Sequence, residues 1–134
     1  MPQENVEIVL RAIAAWNSGD DEAALRDADP EIVWQLSGAF PGFESEYHGH
    51  AGLRRFWTAF REPWECIAIE PLNITEVDQH RVLVNYRFDG TGRSSGVETT
   101  LDVSFLCAIR NGKVIRLRVF SDHAEALEAA GLRE

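Results

Sequence analysis

Three carboxylates, Glu98, Asp102 and Asp122, stand in or beside the long β-forming stretches of the C-terminal half. A carboxylate at an apolar mouth binds its proton more tightly than in water and can then remove a proton next to a carbonyl. Asp102 and Asp122 are therefore the candidate bases. Arg118, between Leu117 and Val119, is a candidate to stabilise an anionic or carbonyl oxygen, with Tyr47 as the alternative. Each has a plainer reading as well: a solvent-facing carboxylate, or an arginine paired with Glu98 or Asp102. Asp122-His123-Ala124-Glu125, directly before Ala126, Leu127 and Ala130, has the form of a helix capping box, which would hold the Asp122 carboxylate charged and make it a poorer base. His48, His50, His80 and His123 match no metal-ligand spacing, and no metal is expected. The Gly90–Gly96 stretch lacks the lysine and helix context of a phosphate-binding loop.

Aromatic residues give a stronger signal of a cavity than the ionisable ones. Trp16, Trp34, Tyr47, Trp57 and Phe60 come from separate segments that a compact fold would bring together. Core packing alone accounts for many such residues, since burying one contributes about 1.5–3 kcal/mol. The tryptophans and Tyr47 are expected to line the pocket.

These side chains need elements to hold them. Val6, Val9, Leu10, Ile13 and Trp16 recur at helical spacing, predicting a helix over about residues 3–17 that Asn17-Ser18-Gly19 ends. Asp20 or Asp21 caps a short second helix through Ala24, Leu25 and Ala28, and Pro30 closes it. Ile32–Leu36 reads as a strand, and residues 37–49 as an aromatic-rich loop folded over something apolar. Leu53, Phe56, Trp57 and Phe60 restore the helical period. Ile67 and Ile69, interrupted by Pro71, suggest an irregular edge strand. Residues 81–88, 97–109 and 114–121 alternate as strands. Asn111-Gly112 is a type I′ hairpin turn, so Arg110 should face Lys113, Leu106 face Leu117, and Phe105 face Arg118.

The chain has 134 residues with 22 acidic against 13 basic, a formal charge of -9, and 45% hydrophobic content. That fits a single globular domain over residues 1–134 and argues against nucleic acid or anionic membrane as partners. No secretory leader and no apolar run of membrane-span length is read, so a reducing, cytoplasmic setting is expected, with Cys66 and Cys107 as buried free thiols.

Trp16-Asn17-Ser18-Gly19-Asp20, Tyr47-His48-Gly49-His50-Ala51-Gly52-Leu53, Arg110-Asn111-Gly112-Lys113-Val114-Ile115 and Phe120-Ser121-Asp122, in that order, resemble the nuclear transport factor 2-like superfamily, in particular its SnoaL-like, polyketide cyclase-like branch. The resemblance implies an α+β fold with a cone-shaped, strongly curved antiparallel or mixed sheet wrapped around N-terminal helices, an apolar pocket, and a homodimer packed through the sheet. The positions matching the superfamily's isomerase tyrosine, its general base and its oxyanion-hole aspartate hold Ala12, Gln35 and Ser104. The position matching the epoxide-hydrolase aspartate holds Val119. Asp122 is the acid that matches the cyclase-like pattern. Ser104, Leu117, Val119 and Phe60 complete the expected ligand site. Two functions follow. One is a cofactor-independent acid–base enzyme on a small apolar, carbonyl-containing metabolite; the other is a non-catalytic ligand-binding or accessory protein.

Overall fold

The computed structural model describes residues 2–36, 40 and 42–132; part of the expected aromatic loop, residues 37–39 and 41, lies outside the described residues. Helix α1 spans Pro2–Asn17. Helix α2 (Asp21–Arg26) starts where the Asp20 side chain accepts the Ala23 N–H at 3.1 Å. It ends sooner than expected, because strand β1 already begins at Ala28 and runs to Gln35. Pro30 fits inside that strand since β2 (Glu46–His48) pairs only with Val33, Trp34 and Gln35, so no ladder bond is lost there. Helix α3 (Gly49–Arg61) follows, then β3 (Trp64–Glu76), β4 (Arg81–Gly92), β5 (Glu98–Arg110), β6 (Lys113–Phe120) and helix α4 (His123–Ala129).

The six strands form one sheet in the order β2-β1-β6-β5-β4-β3. The β1–β6 pair is parallel and the others antiparallel. The α+β class and the mixed sheet stand, but the expected cone does not: the sheet is open, with β2 and β3 as its edges, and is neither closed nor strongly curved. Closure would require a ladder between these edges. One of them is only three residues long. The other is occupied at Ile69, whose N–H and C=O are both bonded by the Asn17 side chain at 2.9 and 2.8 Å.

The β5–β6 hairpin departs from the expected register. The turn is right: Arg110 faces Lys113, and Asn111 and Gly112 have φ of 51° and 75°, the left-handed pair that a type I′ turn requires. Two steps later, Ile109 faces Val114 while Ala108 faces Arg116, leaving Ile115 as an extra, bulged residue. Because side chains alternate, one extra residue exchanges the faces beyond it. Leu106 therefore lies opposite Arg118, not Leu117, and Phe105 opposite Val119, not Arg118.

Two apolar clusters result. The larger joins α1, α2 and α3 to the sheet face carrying Ile32, Val84, Phe88, Phe105 and Leu117. The smaller sits on the opposite face, where Ala126 of α4 and Ala130, just past its end, cover Leu83, Leu106 and Phe120. Arg11 ties α1 to the β1 entrance through two 2.9 Å bonds to the Asp27 carboxylate. Cys107 is buried and Cys66 is exposed on the edge strand β3, which corrects the expectation for Cys66; both thiols are free.

Candidate functional site

An apolar cavity of about 120 Å³ lies between the helices and the inner sheet face. Helical spacing explains its helix-borne wall: Val9, Ile13 and Trp16 project from one side of α1, and Leu53, Phe56, Trp57 and Phe60 from one side of α3. The strands supply alternate residues, Tyr86 and Phe88 from β4, Phe105 and Cys107 from β5, and Leu117 and Val119 from β6. Aromatic rings brace one another around this space. Trp34 meets Trp57 edge-on at 6.0 Å between centroids, Phe56 lies 5.6 Å from Phe60, and Phe60 lies 5.6 Å from Phe88. Such offset and edge-to-face contacts fix ring orientation and keep the walls in place.

The polar content of this wall is small and uncharged. Among the described residues the lining holds no carboxylate, arginine, lysine or histidine. Its polar groups are the indoles of Trp16, Trp34 and Trp57, the Tyr86 hydroxyl and the Cys107 thiol. Burial pushes both the Tyr86 hydroxyl and the Cys107 thiol above their ordinary proton affinities, so both remain protonated at neutral pH. The Nε1–H groups of Trp34 and Trp57 are buried without a hydrogen-bond partner among the described residues. Arg61 approaches from behind, 4.7 Å from the Trp16 ring centre and 5.9 Å from that of Trp57. Its charge is held by Asp21, through bonds of 2.7 and 3.0 Å.

The residues singled out in the sequence divide between two places. Trp16, Trp34, Trp57, Phe60, Leu117 and Val119 line the cavity. Tyr47 is buried beside it, stacked 5.0 Å from Phe56, with its hydroxyl accepting the Glu44 N–H. Asp102, Ser104 and Arg118 are on the opposite sheet face. There Asn85 Nδ2 donates to Asp102 Oδ1 and to Ser104 Oγ, both at 3.2 Å. Ser104 Oγ bonds His123 Nδ1 at 2.7 Å, and the Arg118 guanidinium covers the Phe120 ring at 5.0 Å. Asp122 is the N-cap of α4 and accepts the Ala124 N–H at 2.9 Å. Among the described residues no group of three His, Cys, Asp or Glu is placed to hold a metal ion, and no helix is long and apolar enough to cross a membrane.

Sequence reasoning passed over Phe40, Phe105 and Cys107 as lining residues. Phe105 and Cys107 were hidden by the bulge, since the expected register set them against Arg118 and Arg116. Phe40 falls in the aromatic loop, and its ring contacts Phe60 at 5.1 Å, consistent with that loop folding onto the helices.

A family model described as a SnoaL-like domain matches residues 9–117. An NTF2-like protein from Burkholderia xenovorans LB400 is 30% identical over 96% of this chain and 95% of that one, with a TM-score of 0.73. TerC, co-crystallised with polyporic acid, is 23% identical over 96% and 98% of the two chains, with a TM-score of 0.79. An NTF2-like protein of unknown function from Burkholderia pseudomallei K96243 is 20% identical over 93% and 95%, with a TM-score of 0.80. No curated protein sequence matches the chain.

Proposed function

This chain belongs to the SnoaL-like domain family, and from that premise we propose that it is a binding protein for a small, uncharged, mainly apolar molecule held in the helix-covered cavity. The absence of any charged or basic side chain from the described lining carries this reading. An ionic ligand would lose its hydration there without compensation, whereas an apolar one gains roughly 25 cal/mol for each Å² removed from water. At about 120 Å³ the cavity is of the order of the ~150 Å³ apolar cavity that accepts benzene, so a molecule built on a single aromatic ring suits it. The use of TerC with polyporic acid supports a small-molecule role for this fold.

Binding fits better than acid–base turnover. Asp102 and Arg118 face away from the cavity, Asp122 is engaged at the start of α4, and the protonated Tyr86 and Cys107 offer no base. The homodimer expected from the sequence would use the outer sheet face and leave one cavity in each protomer. Titration with α-methylstyrene, followed by intrinsic tryptophan fluorescence and thermal shift, tests the proposal. Saturable quenching with a raised Tm is expected, and Ala12→Leu, which intrudes on the cavity, should weaken binding at least tenfold. Absence of saturable binding, or binding indifferent to Ala12→Leu, would overturn it.

A further inference from the structure

We infer that the cavity selects, among small apolar molecules, those whose one polar locus is a neutral oxygen acceptor: a ketone, aldehyde or quinone carbonyl. The inference rests on the binding proposal and goes further by naming the chemistry that the site reads. Trp34 and Trp57 both line the cavity, and both carry buried Nε1–H groups with no partner among the described residues. An indole N–H can only donate. A buried donor left unmet is costly, so a ligand that supplies an acceptor gains more than its apolar surface provides. The two rings meet at 86° with centroids 6.0 Å apart, so both border the same part of the cavity. A carbonyl oxygen has two lone pairs and can accept from both donors.

The surroundings narrow the class. An alcohol or amine brings a donor of its own, and among the described residues the lining side chains offer as acceptors only the Tyr86 hydroxyl and the weakly accepting Cys107 sulfur. A carboxylate brings a charge, but Arg61, the cation against the Trp16 and Trp57 rings, is engaged by Asp21. Only the neutral acceptor meets the two indoles without introducing a new unmet group.

Acetophenone and α-methylstyrene form the deciding pair, because they share a shape and differ by a CH₂ in place of the oxygen. Transfer out of water alone favours α-methylstyrene, so the sign of the preference is informative. In wild-type protein acetophenone should bind about tenfold tighter. Trp34→Phe and Trp57→Phe, measured singly and together, should bring the ratio towards or below one, because the smaller rings alter apolar contact with both compounds alike and only the donor distinguishes them. A cooperative thermal transition by circular dichroism shows that the variants fold. If α-methylstyrene binds wild-type protein as tightly as acetophenone, or if the ketone preference survives in the double variant, the carbonyl assignment is wrong and the cavity proposal stands. If neither compound binds wild-type protein, both fail.

Discussion

The two faces of the sheet are built from alternate residues of the same strands, and outside the small apolar cluster under α4 they carry opposite chemistry. On the helix-covered face, Phe88, Phe105, Cys107, Leu117 and Val119 border a cavity whose polar groups, among the described residues, are neutral. On the outer face, Arg87 pairs with Glu70 and Asp89 at 2.9 Å, and Asn85, Asp102, Ser104 and His123 form a hydrogen-bonded chain beside Arg118. The partition depends on Ile115 being bulged. Were it paired in the ladder instead, the register set by Asn111-Gly112 would point Arg116 and Arg118 at the cavity and Leu117 away from it. Whether one residue is bulged or paired decides whether this pocket is greasy or cationic.

Shifting that register is the most severe way to break the comparison. An alanine inserted between Arg116 and Leu117 turns Arg118 onto the helix-covered face if the bulge is kept, and Arg116 if it is flattened. It should cost more than about 4 kcal/mol, seen as loss of a cooperative urea transition by circular dichroism. A variant with near-normal stability would show that the bulge does not hold the faces apart.

A gentler test places the same change on each face. Leu117→Arg should destabilise by about 3–5 kcal/mol, because the cavity offers the new charge no partner. Arg118→Leu removes a partly exposed charge and its contact with Phe120, and should cost less than about 1 kcal/mol. Paired urea melts measure the difference, and similar values would deny the asymmetry. The smallest effect concerns Asp122, which the sequence marks both as a candidate base and as a cap. Asp122→Ala should lose about 1 kcal/mol of stability and Asp122→Asn only a few tenths, with α-methylstyrene affinity unchanged in both. Weakened binding in the asparagine variant would tie Asp122 to the cavity after all.

The elements that were legible in the sequence are those whose information is local. Leu53, Phe56, Trp57 and Phe60 announce α3 and its buried side by spacing alone, and Asn111-Gly112 announces its turn. Pro71 announced an irregular edge strand, and the ladder indeed shifts register between Pro71 and Asn73. What was not legible depends on contacts between distant segments. Val114, Ile115 and Arg116 read as uninterrupted alternation, and only pairing with β5 reveals the extra residue. The openness of the sheet is of the same kind, since it reflects how α1 reaches the β3 edge. Most of the aromatic wall was therefore foreseeable, whereas the faces of Asp102, Ser104 and Arg118 followed from a bulge that no periodicity displays.

The contact between Asn17 and Ile69 has a consequence for the protein in a crowded solution. A β3 edge of thirteen residues is long enough to template a strand from another chain, the first step towards fibrous association. At Ile69 the outward-facing backbone groups are already matched by a side-chain amide that mimics a peptide unit and ends there. Two residues further on, Pro71 has no N–H to give, and Glu76 adds negative charge along the same strand. An incoming strand thus meets a blocked pair of groups, a missing donor and like charge along one edge. The helix that walls the cavity also keeps the sheet from growing beyond its own chain.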